Sequence, residues 1–194
     1  MKFRAMIVIA GAAMLSACGI NSVPTAQEAA KASWANVENQ YQRRADLIPN
    51  LVATVKAAGA QEKDILVQVT NARASATQVK VSGDDLTDPN KMAAFQRAQA
   101  GVTLSLQRLQ EAYPELKSQG NYTTLMSQLE GTENRIAIAR TDYNNAVQAY
   151  NTRIRTFPDA VGAKIFYGAK PMVPFQATTP GAETAPTVNF GNAS

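Results

Sequence analysis

Histidine is absent from this 194-residue chain, and cysteine and tryptophan occur once each. Without an imidazole there is no ready general base, proton shuttle or nitrogen metal ligand. Ser-His-Asp and Cys-His catalysis and histidine-based zinc sites are therefore excluded. A single cysteine rules out an internal disulfide framework and any cysteine-cluster metal site. Charge is sparse as well, at 18% of residues, with a net charge of +4 and an isoelectric point near 9.3. Between Gln27 and Phe157, glycine and proline are confined to Pro49, Gly59, Gly83, Pro89, Gly101, Pro114, Gly120 and Gly131. No stretch shows sustained period-2 alternation of β-branched residues, which argues against strands. What remains is a chain with 45% hydrophobic residues, long enough to bury one core, and the expected fold class is all-α.

The first residues read as an address. Lys2 and Arg4 form a positive region, Ala5 to Met14 an apolar one, and Leu15-Ser16-Ala17-Cys18 a small-residue cleavage site ending in cysteine. The uncharged span is too short to cross a bilayer, which needs about 20 residues. Leu-Ser-Ala-Cys resembles the lipobox of bacterial lipoproteins. That resemblance implies cleavage before Cys18, with lipid added to its sulfur and its new amino group. Each buried CH₂ contributes about 0.8 kcal/mol, so one acyl chain is marginal while two or three hold stably. Gly19 follows the cysteine, with no Asp there, and lipoprotein sorting patterns would then favour the outer membrane of a two-membrane bacterium.

Loss of Lys2 and Arg4 with the signal lowers the net charge to +2. Arg43-Arg44 and Arg153/Arg155 are pairs and not stripes, and no aromatic stacking platform lies near them, so nucleic-acid binding is not expected.

Residues 1–17 are thus expected to be a cleaved lipoprotein signal and 18–25 a lipidated N-terminus and spacer. A helical bundle follows at 26–158, then an extended segment packed on it at 159–176 and a flexible Pro/Thr/Ala-rich tail at 177–194. The last long helix is the plainest. Leu125, Leu129, Thr132, Ile136, Arg140, Tyr143, Val147, Tyr150, Ile154 and Phe157 repeat at about 3.6 residues per turn, with Asn121 as a plausible cap and Pro158 as a stop. Such a helix is about 50 Å long and needs long neighbours. Asp88-Pro89 announces a second helix, an N-cap followed by proline at the first helical position. Phe95, Ala98, Val102, Leu106, Leu109 and Tyr113 form its apolar face. Ala30, Trp34, Val37, Tyr41, Arg44 and Ile48 share a face that Leu51, Val55, Ala58, Ile65 and Val69 continue. Pro49 lacks an N–H and disfavours helical angles at Ile48, so a kink or break is expected there. Four helical segments then fold as an antiparallel bundle.

Three ordered blocks carry a resemblance. The first holds Gln42-Arg43-Arg44-Ala45-Asp46-Leu47-Ile48-Pro49-Asn50-Leu51-Val52, then Lys56, Glu62 and Asn71-Ala72-Arg73. The second is Glu111-Ala112-Tyr113-Pro114-Glu115-Leu116. The third runs from Leu129 to Pro158 with Glu130, Glu133-Asn134-Arg135-Ile136, Ala139-Arg140, Tyr143-Asn144, Val147, Tyr150-Asn151 and Phe157-Pro158. In residue, spacing and order these resemble the LemA family, and the resemblance implies an antiparallel four-helix bundle. Many LemA proteins look to be held by an uncleaved N-terminal membrane helix, where this chain has a lipobox.

The candidate interaction or structural residues are Arg43, Arg44, Asp46, Pro49, Asn50, Glu133, Arg140, Tyr143, Asn144, Tyr150 and Asn151, with Cys18 as the lipidation site. The Tyr-Asn pairs recur seven residues apart, two helical turns. Such a ladder could bind a peptide or a headgroup, or could fix helix register through hydrogen bonds. Arg43, Arg44 and Asp46 beside Asn50, facing Glu133 and Arg140, suggest an internal ion-pair network, and a buried Arg140 would need a carboxylate. Glu130 and Glu133 share a face without the Glu-x-x-His companion of a di-metal site, and Asp84-Asp85 reads as a solvated loop. No catalytic residue, metal or cofactor is expected. The leading reading is a non-enzymatic, lipid-anchored scaffold or interaction module of the cell envelope, facing outside the cytoplasm. Its expected partners are the membrane, through the lipid, and an unidentified envelope protein, with self-association left open. The alternatives are an adaptor or regulator of an envelope membrane enzyme such as a protease, which the family's envelope association suggests, and a membrane-shaping protein.

Overall fold

The computed structural model describes residues 21–59 and 62–176. The expected signal, Cys18 and the expected tail at 177–194 lie outside the described residues. Among the described residues, four long α-helices and one short one follow in order: α1 (Ser22–Ala57), α2 (Lys63–Gln78), α3 (Pro89–Ala112), α4 (Gly120–Arg153) and α5 (Asp159–Ile165). Among the described residues there is no strand, and the fold is an antiparallel helical bundle.

The pairing follows from side chains that meet across helices. Trp34 meets Tyr143 and Arg44 meets Glu133, so ten residues forward on α1 is ten back on α4, and the two run antiparallel along their length. The backbone N–H of Glu62, just before α2, donates to the Tyr113 hydroxyl at the end of α3, and Arg108 of α3 reaches Gln68 of α2. These contacts make α2 and α3 an antiparallel hairpin. At about 1.5 Å per residue α1 is about 54 Å long and α2 only about 24 Å. The hairpin helix α2 therefore covers one half of the α1–α4 pair and leaves the other to be closed by something else.

Local chemistry sets the ends. Asp88 caps α3, its Oδ1 accepting from the N–H groups of Asn90 (2.8 Å) and Lys91 (3.3 Å), with Pro89 at the first helical position. Gly59 ends α1 at φ +86, a left-handed angle that only glycine adopts without strain, and Lys56 lies in the last turn where the helix dipole favours a cation. Pro24 falls in the first turn of α1, where an N–H would have had no helical acceptor, so the helix starts at Ser22, within the expected spacer, and Val23 is already buried.

Of the kink or break expected near Ile48, the break does not occur; α1 continues from Ser22 to Ala57 as one helix. The missing N–H of Pro49 leaves the Ala45 carbonyl without its helical donor, and Arg73 of α2 supplies one, its Nε lying 2.7 Å from that oxygen. The α4 stripe also needs correction. Ala139 and not Arg140 takes the buried position, and Phe157 is exposed because the helix has ended at Arg153.

Two apolar clusters fill the bundle. One gathers Trp34, Val37, Tyr41, Phe95, Ile136, Tyr143, Val147 and Phe175; the other gathers Ile48, Leu51, Val55, Leu66, Val69, Val102, Leu109 and Leu129. Along α1, Arg44 falls between them.

Candidate functional site

The half that α2 does not reach is closed by residues 169–176, an extended strap lying along α4. The Tyr-Asn pairs hold it. Asn151 accepts the Met172 N–H at Oδ1 (2.8 Å) and donates from Nδ2 to the Met172 carbonyl (2.8 Å). Asn144 treats Phe175 the same way, at 2.8 and 3.1 Å. A side-chain amide carries one acceptor and adjacent donors, so it pairs with an extended residue as a neighbouring strand would. The tyrosine hydroxyls add a third bond to each unit: Tyr150 donates to the Lys170 carbonyl (3.2 Å) and Tyr143 to the Val173 carbonyl (2.9 Å).

The match is one of repeat lengths. Seven helical residues rise about 10.5 Å, and three extended residues advance about 10 Å. Each Tyr-Asn pair therefore meets one triplet, Lys170-Pro171-Met172 and then Val173-Pro174-Phe175. Both triplets read x-Pro-apolar. Proline stands where no N–H has to be satisfied, and the N–H of Val173, between the two paired residues Met172 and Phe175, goes to the Leu86 carbonyl at 2.8 Å. The ladder thus binds a peptide, and that peptide is the chain's own strap.

Below the strap, Met172 and Phe175 are buried. Phe175 stacks on Trp34 (5.7 Å between centroids) and meets Tyr143 edge-on (5.6 Å), while Trp34 also packs edge-on against Phe95 and donates its indole N–H to the Val81 carbonyl at 2.7 Å. Arg140 covers the outside. Its guanidinium lies 4.7 Å from the Phe175 ring centre and donates to the Gln176 carbonyl (3.1 Å). That replaces the expected carboxylate partner: Arg140 is only half-buried, and the strap takes its charge. Burial pushes the phenols of Tyr143 and Tyr150 up, so both stay neutral donors at ordinary pH.

The buried cation is instead Arg44, 3% exposed, at the waist between the two clusters. Its guanidinium donates to Glu133 Oε2 (2.8 Å), Thr103 Oγ1 (3.0 Å), the Gln99 carbonyl (3.1 Å) and Gln99 Oε1 (2.8 Å), and lies 5.0 Å from the Tyr41 ring centre. One side chain thereby ties α1 to α3 and α4. Glu133 keeps half its surface in water, which lessens the desolvation cost of the pair. The wider network does not assemble. Arg43 faces solvent across a shallow groove shared with Arg135, Asp46 accepts from its helix neighbour Gln42 (2.7 Å), and Pro49 and Asn50 are exposed.

The acidic loop is organised by lysines. Asp84 accepts from Lys31 of α1 (2.9 Å), and Asp85 accepts from Lys91 and from the Ser82 N–H and hydroxyl, which hold its carboxyl well below the usual carboxylate range. Among the described residues no cluster of His, Cys, Asp or Glu is arranged to hold a metal ion. Arg73, Gln99, Thr103 and the strap prolines were not expected as participants. The x-Pro-apolar repeat at 170–175 is the signal that could have found the strap.

A helical bundle whose last long helix grips an extended C-terminal strap through repeated Tyr-Asn pairs is the class that fold and site define. The LemA family pattern matches residues 33–190, and the chain belongs to the LemA family. It is similar to magnetosome proteins MamQ 1 and MamQ 2 of Paramagnetospirillum magneticum, each 29% identical over 71% of this chain and 58% of theirs. Magnetosome protein MamQ of Magnetospirillum gryphiswaldense is 28% identical over the same shares. The chain spans a little over half the length of these curated relatives. No helix among the described residues is long and apolar enough to cross a membrane.

Proposed function

We propose that this LemA protein is a non-enzymatic scaffold of the bacterial envelope, lipid-anchored through Cys18 and presenting its bundle to a protein partner outside the cytoplasm. The observation that carries the reading is how the polar groups are used. Tyr143, Asn144, Tyr150 and Asn151 of α4 are used on the chain's own strap and Arg44 on joining helices, so these polar groups go into a fixed shape. The names of the matched relatives attach them to a cell structure, the magnetosome, which supports assembly over turnover. The lipobox supports anchoring at the N-terminus, with the outer membrane favoured where there are two.

In-cell photocrosslinking from exposed positions on α3 and α4, such as Leu104 and Ile138, tests the scaffold role. The expected result is one envelope protein captured at near-stoichiometric yield; an envelope enzyme in that position would make the chain an adaptor. Capture of lipid alone, or a hydrolase or transferase activity of the purified protein that Glu133→Ala abolishes at unchanged stability, would overturn the reading. Cys18→Ser is expected to release the protein from membranes, and retained attachment would reject the lipid anchor.

A further inference from the structure

One end of the bundle leaves a group of apolar side chains uncovered. Phe157 is 86% exposed, Ile165 69%, Phe166 66% and Val161 50%. Val161 and Ile165 stand one turn apart on α5, on the side opposite buried Ala163, so this helix turns its small residue inward and its large ones out. That inverts the pattern of a surface helix in water. The surroundings are basic. Residues 153–170 hold Arg153, Arg155, Lys164 and Lys170 against Asp159 alone, a net +3, while the chain beyond the signal carries only +2 in all. The one carboxylate is occupied, accepting from Ser22 at 2.6 Å with Arg153 at 3.9 Å.

The same bond sets the location. Ser22 opens α1 and Asp159 opens α5, so the apolar cap sits where the N-terminus enters the bundle. Ser22 lies four positions after Cys18, and at about 3.6 Å per step the two are no further apart than about 14 Å. A lipid on Cys18 would hold the cap beside the bilayer at high effective concentration, so a weakly binding surface would suffice.

We propose that this cap is a membrane-contact surface, in which Phe157, Val161, Ile165 and Phe166 enter the boundary between headgroups and acyl chains while Arg155 and Lys164 meet anionic headgroups. It rests on the lipid-anchor reading for its proximity to the bilayer and on its own side chains for its contact. Its effect is to fix how the tethered bundle stands on the membrane, which a flexible lipid tether alone would not do.

The test uses the full acylated chain carrying Phe166→Trp, reconstituted in vesicles of phosphatidylethanolamine and phosphatidylglycerol with brominated acyl chains. Trp34, 1% exposed, is the internal reference. Shallow bromines are expected to quench the added indole about twofold or more and to leave Trp34 unchanged. The quenching should weaken when phosphatidylcholine replaces phosphatidylglycerol or when salt is raised. An indole quenched by aqueous acrylamide and not by bromolipid overturns the proposal. So does one shielded from both while the chain crosslinks to a second copy, which would make the cap a protein interface. The Cys18→Ser chain separates the two readings. It should bind the same vesicles about a hundredfold more weakly, and Phe157→Ser with Phe166→Ser should abolish what remains. Detachment of Cys18→Ser without bromolipid quenching in the acylated chain rejects the cap and keeps the anchor. Unchanged attachment of Cys18→Ser in cells with quenching intact does the reverse.

Discussion

At one end of the bundle Ile48, Leu51 and Val55 of α1 are covered by a helix, α2; at the other Trp34 and Tyr143 are covered by eight residues of extended chain. The two coverings make different demands on the helix beneath. A helix satisfies its own backbone and asks only for apolar contact, whereas an extended segment brings N–H and C=O groups that must find partners. The heptad positions of α4 record this. Tyr122, Leu129, Ile136, Tyr143 and Tyr150 face inward, and the residues after them are Thr123, Glu130, Ala137, Asn144 and Asn151. Of these five following positions, only the two under the strap carry asparagine.

Arg44 joins the halves, so its loss should be felt in both. Arg44→Ala is expected to cost about 3–5 kcal/mol, measured by denaturant unfolding, because Gln99 and Glu133 lose their donor and a cavity opens. Equal loss of amide protection around Trp34 and Leu51 would mark the arginine as the link. The strap is the next test. Asn144→Leu with Asn151→Leu removes four hydrogen bonds and should cost about 2–3 kcal/mol. Hydrogen exchange should then show Met172 and Phe175 deprotected while Leu51 and Val55 keep their protection.

Smaller effects sharpen the contrast. Arg73→Met should cost about 1–2 kcal/mol by leaving the Ala45 carbonyl unpaired, and Pro49→Ala should recover most of that by restoring the helical donor. A double-mutant cycle without coupling would refute the pairing. The same hydroxyl deletion should also differ between halves. Tyr143→Phe loses the bond to Val173 and about 1 kcal/mol, while Tyr122→Phe should change stability little, since that buried hydroxyl has no hydrogen-bond partner among the described residues. Alkaline pH gives the gentlest probe. Burial raises Tyr41, Tyr143 and Tyr150 in the strapped half and Tyr122 in the other. A phenol raised on folding contributes stability that is complete below about pH 10 and lost as pH rises through its folded value. Phenolate absorbance and exchange followed together should find the strap released before the α1–α2 contact.

Much of this was legible along the chain. The Asp88 cap, the α4 periodicity and the faces of α1 depend on residues within a few positions of one another, and local spacing reports such interactions. Pro49 misled because its remedy, Arg73, comes from another helix. Arg140 misled because a stripe does not say whether its neighbour is a core or a strap lying over the core's edge. The Tyr-Asn ladder was visible as a repeat, and so in retrospect was x-Pro-apolar at 170–175. Nothing local joined a seven-residue period on a helix to a three-residue period some twenty residues later.

The sequence by itself determined that the chain is helical, that α3 begins at the Asp88 cap, and that it lacks imidazole chemistry, because composition, caps and periodicity act over a turn or two. Only the tertiary structure decided which arginine is buried, that α1 passes through its proline, and that the ladder holds the chain's own strap. Each of these depends on a donor and an acceptor from distant segments, and their distance in space is set by how the helices pack.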